Sequence, residues 1–140
     1  MRSTRAGMRL RPGMAEVAVD ASALIDLFLG GPLGDAVATR LAGHGLHGPA
    51  HLDAECLSAL GRLNRAGDLP AATVEQFLAR LADAPITRHP VHELLTGAWA
   101  RRVNLRLADA LYVELADQLG IALVTTDARL GPVGFVEVIG

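Results

Sequence analysis

The sequence contains no lysine; all 13 basic residues are arginine. That absence excludes chemistry built on a lysine amine: the lysine-containing phosphate loop, Schiff-base catalysis, Ser-Lys hydrolases, and phosphoacceptor domains that keep a lysine beside their aspartate. Cys56 is the only cysteine, which rules out an internal disulfide and a cluster of thiolate metal ligands. A reducing cytoplasm is therefore the expected location. Aromatic residues make up 4% of the chain, too few for nucleic-acid recognition to rest mainly on base stacking. No apolar run approaches the roughly 18 residues of a membrane span, so no membrane partner is expected. Glycine and proline follow no period, which excludes collagen-like and repeat architectures. The formal net charge of −2 carries no overall signature of polyanion binding, although a local basic surface is compatible with it.

What is present is globular: 51% hydrophobic and 20% charged residues over 140 positions, enough for one domain and too few for two. Residues 1–14 carry four arginines without an apolar core, so they read as a flexible N-terminal segment rather than a signal peptide. The folded domain is expected over 15–140. Glu16–Asp20 (EVAVD) and Ile121–Thr125 (IALVT) read as short buried strands. Weaker strand signals lie at 45–49, 85–88 and 135–139. Helical periodicity covers 21–29, 33–42, 51–66, 71–82, 91–102 and 107–119, with Gly30, Gly31 and Pro32 breaking the first pair and Gly120 ending the last helix. Strands alternating with helices predict an α/β fold with a parallel sheet covered on both faces. Ligands of such sheets collect beyond the carboxyl ends of the strands.

Both clear strands end in or just before an acid, Asp20 and Asp127. Asp109 aligns with the apolar Tyr112, Val113 and Ala116 at i+3, i+4 and i+7, so a carboxylate in a first helical turn faces the packed side. Glu55 stacks with Leu52 and Ala59 at the edge of an apolar face, with Asp53 as its rival. Each acid also has a local role open to it, as a helix cap, a turn residue or a partner of the helix dipole. Buried together, four carboxylates repel, and a hard divalent cation, Mg²⁺ or Mn²⁺, relieves the repulsion. Ser22, Thr125 and Thr126 offer hydroxyls beside such a centre, either threonine to the ion, its water or Asp127. Arg129, Arg106 and Arg102 are candidate phosphate contacts, Arg101 would join the last two in a basic lip, and Arg62 and Arg65 lie on the Glu55 helix. The five histidines show no metal-ligand spacing and read as surface or capping residues. Trp99 and Tyr112 read as core. The apolar stretch Leu24–Leu29 reads as core or as a groove for a partner's helix.

The motifs VDAS (19–22), DAEC (53–56), ADALYVELA (108–116) and LVTTDARL (123–130) resemble those of the PIN-domain ribonucleases, and more narrowly the VapC-type toxins of bacterial toxin–antitoxin pairs. The resemblance runs from about Val17 to the C-terminus. It implies a single three-layer α/β/α domain with a short parallel central sheet, and a Mg²⁺- or Mn²⁺-dependent endoribonuclease. Asp20, Glu55, Asp109 and Asp127 match the family's four acids, with Asp20, Asp109 and Asp127 as metal ligands, and Ser22 matches the small hydroxyl position. It further implies an RNA substrate, a cognate antitoxin and a homodimer. NLRLAD before the third acid departs from the aromatic-containing pattern of the family. A non-catalytic RNA- or protein-binding module on the same fold is the alternative.

Overall fold

Five parallel strands form one sheet in the order β3-β2-β1-β4-β5: β1 (Glu16–Val19), β2 (Gly45–Pro49), β3 (Ile86–His89), β4 (Ala122–Thr125) and β5 (Val136–Val138). The computed structural model describes residues 15–140; the segment expected to be flexible, 1–14, lies outside the described residues. Val17, Ala18 and Val19 are buried in succession, as are Leu123, Val124 and Thr125. A strand buried at consecutive positions has both faces covered, which is why these two stretches read as apolar runs rather than alternations. The helices are α1 (Ala21–Leu29), α2 (Gly31–Leu41), α3 (Leu52–Arg65), α4 (Ala71–Asp83), α5 (Leu95–Ala100) and α6 (Leu107–Leu119). Helix α6 lies against β1, β2 and β4 with α5 on its back, while α1 packs on α2 and α3, and α3 on α4. The expected α/β/α architecture is the observed one.

The topology sets the position of the site. From β1 the chain moves outward to β2 and β3, then returns to β4 on the other side of β1. Strand order therefore reverses between β1 and β4, and a crevice opens outside their carboxyl ends. Asp20 follows β1 directly, and Asp127 lies two residues beyond β4.

Local differences from the sequence reading have identifiable causes. Gly31 and Pro32 open α2 instead of forming a linker, because Gly30 (φ 76°) and Gly31 (φ 71°) take the sharp turn and Pro32 fits a first helical turn. A Cβ at Gly34 would stand 2.6 Å from the Asp26 carbonyl, so α2 crosses α1 at a contact only glycine permits. The helix expected over 91–102 is divided into a 3₁₀ turn (Val91–Leu94) and α5. It ends early where the Arg101 guanidinium turns back onto Glu114 and Asp117, 3.2 and 2.7 Å away. Trp99 is not core. It is 57% exposed under the Arg102 guanidinium, because α5 seats itself through Leu94 and Ala98 instead. Gly120 ends α6 in the left-handed conformation, as expected (φ 68°, ψ 36°).

His47 and His89 also depart from the surface roles expected of them. Both are buried, and their rings stack at 5.1 Å. His47 Nε2–H donates to Glu16 (3.1 Å), which leaves its Nδ1 to accept from His89 Nε2 (2.8 Å). Gly45 makes room for the Glu16 carboxylate, since a Cβ there would overlap it. Burial, and then the neighbouring His47, lower the pKa of His89 to about 4, with Glu93 acting weakly the other way. The unfolded chain takes up this proton near pH 6.5 and the folded chain only near pH 4. Stability from neutral His89 is thus complete above pH 6.5 and is lost as pH falls from 6.5 to 4. The melting temperature of His89→Asn should decline less steeply over that window than that of the unaltered protein. Parallel declines would show that His89 does not titrate in the fold as its burial requires.

Candidate acidic active site

Asp20 leaves β1 in an extended conformation and caps α1: its Oδ1 accepts from the Ala23 N–H (3.0 Å) and the Ser22 hydroxyl (2.8 Å). Its Oδ2 accepts from Thr125 Oγ1 at 2.5 Å, joining the ends of β1 and β4. The helix-cap role and the place in the crevice are therefore compatible, because the residue after β1 serves both. Asp20 is 5% exposed and pairs with no cation among the described residues. Burial pushes its carboxyl above the usual carboxylate range against the pull of the Thr125, Ala23 and Ser22 hydrogen bonds, and the charge of Asp127 adds to the rise.

Thr125 also accepts the Asp127 N–H on its Oγ1 (2.9 Å), so one buried hydroxyl registers both strand-end acids. Ser22 stands 3.1 Å from that hydroxyl and accepts from the Thr126 N–H at 3.3 Å. Thr126 does not turn to Asp127; its hydroxyl donates to Asp26 Oδ2 on α1 (2.6 Å). The Asp127 carboxylate is instead held by Arg129 through Nε (2.9 and 3.1 Å), Nη2 (2.5 Å) and the backbone N–H (3.0 Å). The guanidinium holds the Asp127 carboxyl below the usual range.

Glu55 comes from the first turn of α3. The buried Tyr112 hydroxyl on α6 donates to its Oε1 at 2.5 Å, and His51 Nε2 lies 3.4 Å from the same oxygen. The His51 ring packs on Tyr112 with centroids 4.8 Å apart, and its Nε2 is also 3.3 Å from the Ala108 carbonyl, next to Asp109. Asp53 points elsewhere: its two oxygens take Arg88 Nη2 and Nε at 2.9 and 3.1 Å, which leaves Glu55 as the acid of this helix in the cleft. Asp109 is half-buried. Burial raises its pKa first, Arg129 opposes, and the charges of Asp127 and Glu55 raise it further.

Asp20, Glu55, Asp109 and Asp127 thus line one cleft of about 360 Å³, together with Ser22, Tyr112 and Arg129. Asp26 and Arg62 reach it too. Asp26 was missed in the sequence because a lone acid in an apolar helix looks like its solvent side; its position four residues after Ser22, on the same face, was the available signal. Tyr112 is core in its ring, as expected, and part of the site in its hydroxyl. Arg106, at the N-cap position of α6, is not among the residues lining the cleft, but its charge is felt at Asp109 and Asp127. Arg102 lies outside the cleft lining, donating to the Trp99 carbonyl (3.1 Å), and Arg101 is committed to Glu114 and Asp117. The expected three-arginine lip is reduced to Arg106, because helix α5 and its contacts with α6 claim the other two. Cys56 is buried, and burial with the nearby acids pushes its thiol up to about 12, so it packs as a small apolar residue.

The donors facing this cleft are carboxylate and hydroxyl oxygens, a set that suits Mg²⁺ or Mn²⁺ and not a soft metal. Among the described residues no three His, Cys, Asp or Glu side chains close on one point; Asp127 faces Arg129 and Asp20 faces Thr125.

Comparison with known proteins agrees with this fold. The PIN domain family model matches residues 17–136. The chain is 54% identical over 116 residues to Ribonuclease VapC3 of Mycobacterium tuberculosis, covering 82% of this chain and 85% of that protein. Its fold is similar to the crystal structure of Mycobacterium tuberculosis VapC20, described as a sarcin-ricin loop cleaving toxin, with a TM-score of 0.67 and 20% identity over 89% of this chain and 100% of that one. It is similar also to a toxin–antitoxin complex from Klebsiella pneumoniae, with a TM-score of 0.61 and 15% identity over 88% and 97%. The family match across nearly the whole chain and the identity to VapC3 place this chain in the PIN-domain family, among the VapC ribonucleases.

Proposed function

We propose that this chain is a Mg²⁺- or Mn²⁺-dependent endoribonuclease acting as the toxin of a toxin–antitoxin pair in the cytoplasm. The observation that carries the reading is the convergence of acids from the end of β1, from α3, from α6 and from beyond β4 on one cleft at the reversal of strand order. Asp20, Asp109 and Asp127 would hold the ion. When bound, the ion supplies a water of lowered pKa and a counter-charge for phosphate. Glu55, oriented by Tyr112 and His51, accepts the proton of the attacking water. Ser22 and Thr125 keep Asp20 in place, and Thr126 does the same for Asp26. Arg129 and Arg106 offset the negative charge that grows on the phosphate; Arg102, farther out, would meet only the flanking RNA.

Named relatives are ribonucleases, and a neighbour in fold is a toxin–antitoxin complex; these support the RNA substrate and the antitoxin partner. An apolar groove of about 550 Å³ between α1 and α4, lined by Leu24, Leu27, Phe28 and Ile86, is where we place an antitoxin helix. The exposed apolar residues Leu95 and Trp99 of α5, Val103 of the following turn and Leu107 of α6 are the ones we propose for the homodimer contact. No single helix among the described residues is long and apolar enough to cross a membrane.

Purified protein incubated with structured RNA should yield discrete fragments in Mn²⁺ or Mg²⁺ and none in excess EDTA. Cleavage that persists in EDTA would overturn the metal dependence. Tyr112→Phe removes one hydroxyl from Glu55 and leaves the ring in the core. It should slow cleavage roughly tenfold, since hydrogen bonds to a charged acceptor contribute about 1.5–3 kcal/mol, with the fall in kcat rather than in KM. An unchanged kcat would show that Tyr112 does not orient Glu55.

A further inference from the structure

Among the described residues, Asp127 is the one cleft acid paired with an arginine. A carboxylate offers about four lone-pair sites, and three N–H groups of Arg129 meet this one in four contacts, the single Nε–H shared between both oxygens. In that arrangement Arg129 competes with a metal ion for both Asp127 oxygens. Asp109, in contrast, accepts no hydrogen bond among the described residues and feels Arg129 only as a nearby charge. The two partners differ in freedom. The Asp127 side chain is 19% exposed and its N–H is fixed on Thr125, whereas the Arg129 side chain is 56% exposed. Arg129 is the member of the pair that can leave, and an ion pair open to solvent is weakly held.

We propose that Arg129 has two posts. On Asp127 it is the counter-cation and competes with a metal ion for the carboxylate; with a divalent ion bound there, the guanidinium gives up the carboxylate and swings within the cleft to the phosphate of the RNA. The inference rests on the metal-dependent reading above. Metal affinity is then set by a competition inside the cleft, and the group that neutralises Asp127 is the one released to bind substrate. No covalent step is involved. One doubly charged ion replaces one singly charged group on Asp127.

The test is Mn²⁺ binding measured by calorimetry on RNA-free protein, beside cleavage of a structured RNA at saturating Mn²⁺, for the unaltered chain, Arg129→Ala and Arg129→Lys. Arg129→Ala should bind Mn²⁺ roughly 5–10-fold more tightly and cleave roughly tenfold or more slowly, since it loses both the clamp and the phosphate contact. Arg129→Lys keeps the charge but lacks the planar fork, and should show most of the gain in affinity. If Arg129→Ala binds Mn²⁺ no more tightly, the clamp is refuted. If Lys stays at the original affinity while Ala gains, a charge near the ion is all that was removed, and the clamp is again refuted. Tighter metal binding with undiminished cleavage refutes the second post. If the unaltered chain neither binds Mn²⁺ nor cleaves RNA, the metal-dependent reading itself fails, a result distinct from all of these.

Discussion

Replacing Asp20 with asparagine should reduce RNA cleavage by on the order of 10²–10³-fold while leaving the melting temperature in EDTA unchanged or higher. The two halves of this result have one cause. Asp20 is buried with no cation paired to it among the described residues, and burial raises its pKa above the unfolded value. A carboxyl shifted in that direction favours folding only while it is protonated, below its unfolded pKa, and that contribution is lost as pH rises through the folded pKa. At neutral pH the ionised group is a cost that the fold carries. Asparagine removes the charge, still accepts the Ala23 N–H as a good helix cap, and leaves Thr125 free to rotate its hydroxyl. A purely structural Asp20 would give the reverse: an asparagine variant that melts earlier and, so far as it is folded, cleaves normally. Asp109→Asn should lose cleavage in the same way, since burial and the neighbouring charges of Asp127 and Glu55 raise its pKa also.

Leu52→Ala should cost about 2–5 kcal/mol of stability, the range found when a fully buried leucine is cut to alanine and the cavity stays open. Leu52 is completely buried at the start of α3, against β2, where a Cβ on Gly48 would come within 2.8 Å of its Cδ2. The site has little scope to collapse, because β2 is a central strand paired on both sides and Gly48 offers no side chain to move. Leu52 also lies one turn before Glu55, so the loss reaches the cleft through the helix that carries one of its acids. Chemical denaturation checks the figure. A change below about 0.5 kcal/mol, the level of an ordinary surface substitution, would mean that α3 is not seated on β2 as described.

The parts of the molecule legible in the sequence are those in which one element carries its own signal. EVAVD and IALVT are apolar at consecutive positions because both faces of their strands are covered, and the acid that ends each run stands out. Asp109 is conspicuous because its i+3, i+4 and i+7 neighbours are apolar. The parts that were not legible depend on a partner from another element. Thr126 meets Asp26 across the gap between β4 and α1, and nothing near either residue announces the other. GLHGP has too many glycines and too short a span to show that His47 is buried, and its reason for burial, the chain from Glu16 to His89, crosses three strands. Trp99 looks like core because of its size, yet the short α5 has room for one seated face, which Ala98 fills beside Leu94 of the preceding 3₁₀ turn. Asp127 and Arg129 are neighbours in sequence, but their i, i+2 spacing has no partner rule in a helix; the pair forms because the 3₁₀ turn after β4 folds the arginine back over its acid.

Mn²⁺ binding by calorimetry to the unaltered chain and to Asp20→Asn, Asp109→Asn and Asp127→Asn tests the shared cation site most directly. Saturable binding by the first, with each substitution weakening it at least tenfold, is the result this account predicts. Binding that all three variants retain at full affinity, or that the unaltered chain lacks, would contradict it.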